Sequence, residues 1–118
     1  MNWILVFIGG GMGSVLRYVI SQQIVQSKHF PWATLVSNLL ATALLAALVV
    51  YLKLGEKPAW LMPLIGIGFC GGFSTFSTFS AENVQLYSQG MWGLLALNLL
   101  VSVVGGFGVF WLVIRISN

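Results

Sequence analysis

Cys70-Gly-Gly-Phe-Ser-Thr-Phe-Ser-Thr-Phe-Ser-Ala-Glu82 decides how this chain is read. The run lies inside a strongly apolar stretch. Phenylalanine recurs at 73, 76 and 79, serine at 74, 77 and 80, threonine at 75 and 78. The adjacent glycines Gly71 and Gly72 predict a break in the helix at that point. Polar side chains inside a bilayer cost free energy unless they serve packing, a ligand or an ion path. Hydroxyls and one carboxyl fill most of positions 74–82, which points to a path.

Composition sets the solvent. Of 118 residues, 58% are hydrophobic and 6% charged. A soluble domain of this size could not cover its apolar surface with so few charges. A spanning helix needs about 20 apolar residues, so the chain accommodates four spans: 2–25, 32–52, 60–87 and 91–114. The fold class is therefore an all-α membrane protein, a single four-helix domain with its third helix broken mid-membrane. Lys53-Leu-Gly-Glu-Lys-Pro58 and Ser88-Gln-Gly90 read as turns. Trp3, Trp32, Trp60, Trp92 and Trp111 fall near predicted ends, as an aromatic belt does. Met1-Asn-Trp3 leads straight into the first span, so no cleavable signal is expected.

Several functions are disfavoured. The five Lys and Arg residues are scattered, which gives no nucleic-acid face. No cluster of His, Cys and carboxylates suits a transition metal. His29 is in a loop, and no nucleophile–base pair supports an enzyme. The lone Cys70 reads as a small apolar packing residue. Gly9/Gly13 and Gly68/Gly72 are small-xxx-small pairs, which read as close helix packing.

Depth brings the remaining polar residues together. The membrane face at the N-terminus is side A, the opposite face side B. At about 1.5 Å per residue, Arg17 lies about 22 Å in from side A and Asn38 about 9 Å below side B, which is nearly the same level. Gly71 lies about 17 Å from side A, near the midplane. Arg17 reads as an anion-attracting vestibule charge, since a fixed cation favours anions over cations. Asn38 reads as pore lining at the level of Arg17. The ring edges of Phe76 and Phe79 carry partial positive charge, and Ser77 and Thr78 can donate hydrogen bonds. Glu82 reads either as an anion-repelling liability or, at its level close to side B, as a solvated end of span three.

The Gly71–Glu82 run, with Gly13-Ser-Val-Leu-Arg17 and Thr34-Leu-Val-Ser-Asn38, resembles the CrcB/Fluc fluoride channels over the whole chain. The resemblance implies a fluoride-selective channel for passive export from the cytoplasm. It implies an antiparallel, dual-topology homodimer with two pores, set in the lipid of the bacterial inner membrane. It also implies that Phe76, Phe79, Ser77, Thr78, Asn38 and Ser102 occupy pore positions and Arg17 the vestibule. The backbone carbonyls of Gly71 and Ser74 would bind a structural sodium ion that is not transported. One departure stands in span four: Gly106 sits where some relatives carry a pore serine. The alternative is a small four-span multidrug exporter, which needs a carboxylate in span one; Arg17 has the wrong sign. A non-conducting assembly subunit would leave the hydroxyl-rich run unexplained.

Overall fold

The structure, a computed structural model, describes residues 1–24 and 30–118. The expected end of span one at Val25, the charge of Lys28 and the loop position of His29 lie outside the described residues. The fold is all helical. Helix α1 is Asn2–Gln23 and α2 is Trp32–Leu52. A π-helical segment, Met62–Cys70, runs directly into the short helix α3, Gly71–Phe73. Helix α4 is Phe76–Ser88 and α5 is Trp92–Ile116. Counting 62–88 as one crossing, four helices among the described residues are long and apolar enough to span a membrane. Large apolar side chains such as Phe7, Val15, Leu100 and Trp111 lie on the outside. That is the arrangement a lipid solvent demands, because nothing on that face needs to hydrogen-bond.

Helix α1 packs along the π segment and α3, while α2 packs against α5 and α4 leans on α5. Glycine makes the first of these contacts possible. A Cβ on Gly9 would overlap Leu64 O, one on Gly13 would overlap Phe69 O, and one on Gly72 would overlap Gly10 O. The backbones of α1 and the third span therefore touch directly. Small residues permit this approach in membranes, where dispersion and close packing replace the hydrophobic effect between helices.

The interruption of the third span does not fall at Gly71-Gly72, as their conformational freedom suggests. Gly71 is α-helical at φ −64°, ψ −38°, and both glycines belong to α3. The chain leaves the helix two residues later. Ser74 is extended at φ −84°, ψ 157°, and Thr75 at φ −152°, ψ 116°. Side chains cause this. Thr75 Oγ1 accepts the Thr78 N–H at 3.1 Å and caps the start of α4. Short hydroxyl side chains compete with the helix ladder in this way.

Candidate ion pathway

Three polar residues from the first two helices converge on the interruption. Arg17 Nε donates to Gly72 O at 3.1 Å, and Ser14 Oγ donates to the same carbonyl at 3.4 Å. The end of α3 leaves carbonyls without helical partners, and here a guanidinium serves one of them. Asn38 works three residues further on. Its Oδ1 accepts the Thr75 N–H at 2.8 Å, and its Nδ2 donates to Thr75 O at 3.4 Å. The extended residue thus has both backbone groups bound by one side chain. An amide nitrogen carries two donors, so Asn38 retains one N–H beyond this pair.

Two cavities flank Thr75, which borders both. The first, about 400 Å³, is lined by Arg17, Thr34, Ser37, Thr78 and Glu82 among others. Its charge comes from Arg17 and Glu82. Glu82 is half-buried, and its Oε1 accepts a hydrogen bond from Thr34 Oγ1. The solvated end expected for Glu82 is therefore corrected: α4 turns this carboxylate inward against α2. The second cavity, about 300 Å³, is lined by Asn38, Ser74, Phe76, Phe79, Ser102 and Gly106 among others. The Phe76 and Phe79 rings lie 6.0 Å apart at 41°, the tilted pairing that directs edges and faces differently.

A buried polar chain supports the second cavity. Asn98 Nδ2 donates to Asn83 Oδ1 at 2.8 Å, and Ser102 Oγ donates to Asn98 Oδ1 at 3.2 Å. Asn98 is 1% exposed. Ser102 spends its single proton on Asn98, so it offers lone pairs rather than a donor to the cavity.

The family described as "CrcB-like protein, Camphor Resistance (CrcB)" matches residues 4–114. This chain belongs to that family. It is 46% identical over 108 residues to the "Fluoride-specific ion channel FluC" of Azobacteroides pseudotrichonymphae, covering 86% of this chain and 84% of the relative. It is 45% identical over 120 residues to the protein of the same name from Serratia proteamaculans, covering 96% and 94%. It is 40% identical over 116 residues to "Fluoride-specific ion channel FluC 1" of Frankia casuarinae, covering 92% and 89%. With its four span-capable helices, this CrcB-family chain is a multi-pass membrane protein.

In this CrcB-family chain the expected pore residues divide between the cavities. Asn38, Phe76, Phe79 and Ser102 line the second; Arg17 and Thr78 line the first. Ser77 lines neither: it is exposed, with Oγ 3.3 Å from Thr75 Oγ1. The carbonyls of Gly71 and Ser74 suit a hard cation in one respect. In an unbroken helix Thr75 N–H would bond Gly71 O and Thr78 N–H would bond Ser74 O. Here those amides go to Asn38 Oδ1 and Thr75 Oγ1, which leaves both oxygens free of the helix ladder.

Sequence reasoning missed Thr75 as the residue between the cavities, and missed Thr34, Ser37, Asn83 and Asn98. The signal for the first pair was present: Thr34, Ser37 and Asn38 fall at helical spacing on one face of α2. Asn98 stands alone in an apolar span, which is itself a sign of an internal partner.

Proposed function

We propose that this chain forms a fluoride-selective channel that lets the anion leave the cytoplasm passively. The observation that carries the reading is the cavity in which the paired Phe76 and Phe79 rings stand beside the Asn38 amide, with the Arg17 cavity on the other side of Thr75. Arg17 raises the local concentration of anions. A small, strongly hydrated anion then exchanges water for ring edges and amide donors, each a weak partial positive contact. Several weak sites in series allow both entry and exit, which conduction requires. Relatives named as fluoride-specific channels support the same ion.

The finer reading extends this. The active unit is an antiparallel, dual-topology homodimer in the bacterial inner membrane, with two pores and the third span broken at mid-membrane. A structural sodium ion is held by the carbonyls of Gly71 and Ser74, with the remaining ligands from a second copy. A melting temperature unchanged when N-methylglucamine replaces sodium would count against that ion. The protein does no covalent chemistry.

The test of the main reading is ion efflux from liposomes holding purified protein. Fluoride should leave rapidly after a potassium ionophore is added, and chloride should not. Retention of fluoride, or equal loss of both anions, would overturn it.

A further inference from the structure

The wall of the Arg17 cavity holds a polar group that the pathway above leaves unused. Ser37 is 1% exposed, and its Oγ has no hydrogen-bond partner among the described residues. Yet the residue borders the cavity of about 400 Å³ with Arg17, Thr34, Thr78 and Glu82. A hydroxyl on a membrane helix ordinarily bonds the carbonyl four residues back. Thr42 does this on the same helix, donating to Asn38 O at 2.7 Å. Ser37 does not. A buried donor left unpaired is costly, so the acceptor for this proton belongs to whatever fills the cavity.

The neighbours decide what that is. Thr34, one turn before Ser37 on the same face, commits its proton to Glu82. Glu82 is thereby provided with a donor from α2, while Ser37 keeps its own proton available. Among the described residues Arg17 spends only Nε, on Gly72 O, and its other donors and its charge remain for an anion. We propose that the Ser37 hydroxyl donates directly to the permeating anion in the Arg17 cavity and helps hold it there before it passes Thr75. Arg17 supplies attraction without a fixed direction; Ser37, from α2, supplies a directional contact. This inference rests on the channel reading and adds a residue that discriminates by hydrogen bonding, which favours the halide that accepts hydrogen bonds most strongly.

The experiment compares single-channel fluoride currents of wild type, Ser37→Ala and Ser37→Thr in planar bilayers. Unitary current does not depend on how much protein folds. Ser37→Ala should lower it about fivefold at sub-saturating fluoride, the size of one lost neutral hydrogen bond, and raise the half-saturating concentration. Ser37→Thr keeps the hydroxyl and should stay near wild type. Wild-type current and half-saturation in Ser37→Ala would overturn the assignment. Should Ser37→Ala yield no channels, wild-type crystals soaked in bromide decide. Anomalous density within hydrogen-bond distance of Ser37 Oγ supports the site; density elsewhere, or none in this cavity, overturns it. Absence of fluoride current in wild type would instead overturn the channel reading, and the bromide measurement would still judge Ser37.

Discussion

Asn38 binds both backbone groups of Thr75, accepting its N–H at 2.8 Å and donating to its carbonyl at 3.4 Å. One side chain from α2 thus replaces the ladder bond that the Thr75 N–H would make in a continuous helix, and adds a contact to the carbonyl that opens α4. The same amide borders the cavity of Phe76 and Phe79, so the residue that holds Thr75 is also a wall of the proposed pathway.

Substitutions at Asn38 should separate those two roles. Asn38→Leu leaves the Thr75 amide without a partner, which costs about 1–3 kcal/mol. Its melting temperature in detergent should fall by several degrees. Asn38→Asp can still accept the Thr75 N–H but donates nothing and adds negative charge beside the pathway. It should melt closer to wild type than Asn38→Leu while losing fluoride flux more completely than its stability suggests. Equal melting of all three proteins would show that the Thr75 contact is energetically idle.

The aromatic pair makes a second prediction. Phe76 is 79% exposed on the single chain, and its closest aromatic neighbour is Phe79. Phe76→Ile nearly conserves volume and apolarity, so the helix has no reason to unfold. Losing a ring edge from an anion's path should slow flux by up to about tenfold per ring, from a contact of about 0.5–1.5 kcal/mol. Liposome flux of the Phe76→Ile, Phe79→Ile double variant is the measurement. Wild-type flux in a well-folded double variant would remove the rings from the mechanism.

The apolar spans were legible because lipid imposes both length and composition on any crossing helix. The extended residues of the third span, Ser74 and Thr75, follow the glycine pair rather than coincide with it. The conformational freedom of glycine points to Gly71 and Gly72, whereas Gly72 serves close approach to Gly10. The residues that release the chain are Thr75, by capping α4, and Asn38, 37 positions away in sequence. A local reading cannot contain a contact of that separation. Glu82 was misjudged for the same reason. Its level near the membrane edge follows from one helix alone, while its partner Thr34 comes from another. The Asn83–Asn98 pair needed knowledge that α4 leans on α5.

The glycines predict opposite outcomes at adjacent positions. At Gly71 an added Cβ meets nothing within 4 Å in this chain, whereas at Gly72 it would strike the Gly10 backbone. Gly71→Ala should therefore give a folded chain, and Gly72→Ala should not, because backbone cannot rotate away as a side chain can. Detergent-stable yield by size-exclusion chromatography reads both. A bulkier residue at Gly71 that preserves the fold but abolishes the dimer would place this position between copies. Equal yields for Gly71→Ala and Gly72→Ala would contradict the packing of α1 on α3.

Orientation in the membrane is the last consequence, and charge governs it. The order of spans in the sequence assigns Lys53, Lys57 and Arg115 to side A and Lys28, which lies outside the described residues, to side B. Lys57 lies 4.2 Å from the centre of the Tyr51 ring, so its charge stays close to the end of α2. Cations near helix ends set topology, and acidic residues such as Glu56 contribute little. The difference between the sides is small, which predicts insertion in both senses. Antiparallel copies would then present the Gly71 and Ser74 carbonyls of each chain to a shared axis, near the level at which the third span is interrupted. The check uses a chain with Cys70→Ala, which removes the one native thiol and only a small buried side chain. Ser88→Cys is then added, at an exposed position at the end of α4. A membrane-impermeant thiol reagent applied to intact cells should label roughly half the protein, and the rest should label after lysis, as weak charge bias implies. Labelling of all or none before lysis would establish a single orientation and exclude the antiparallel dimer for this chain expressed alone.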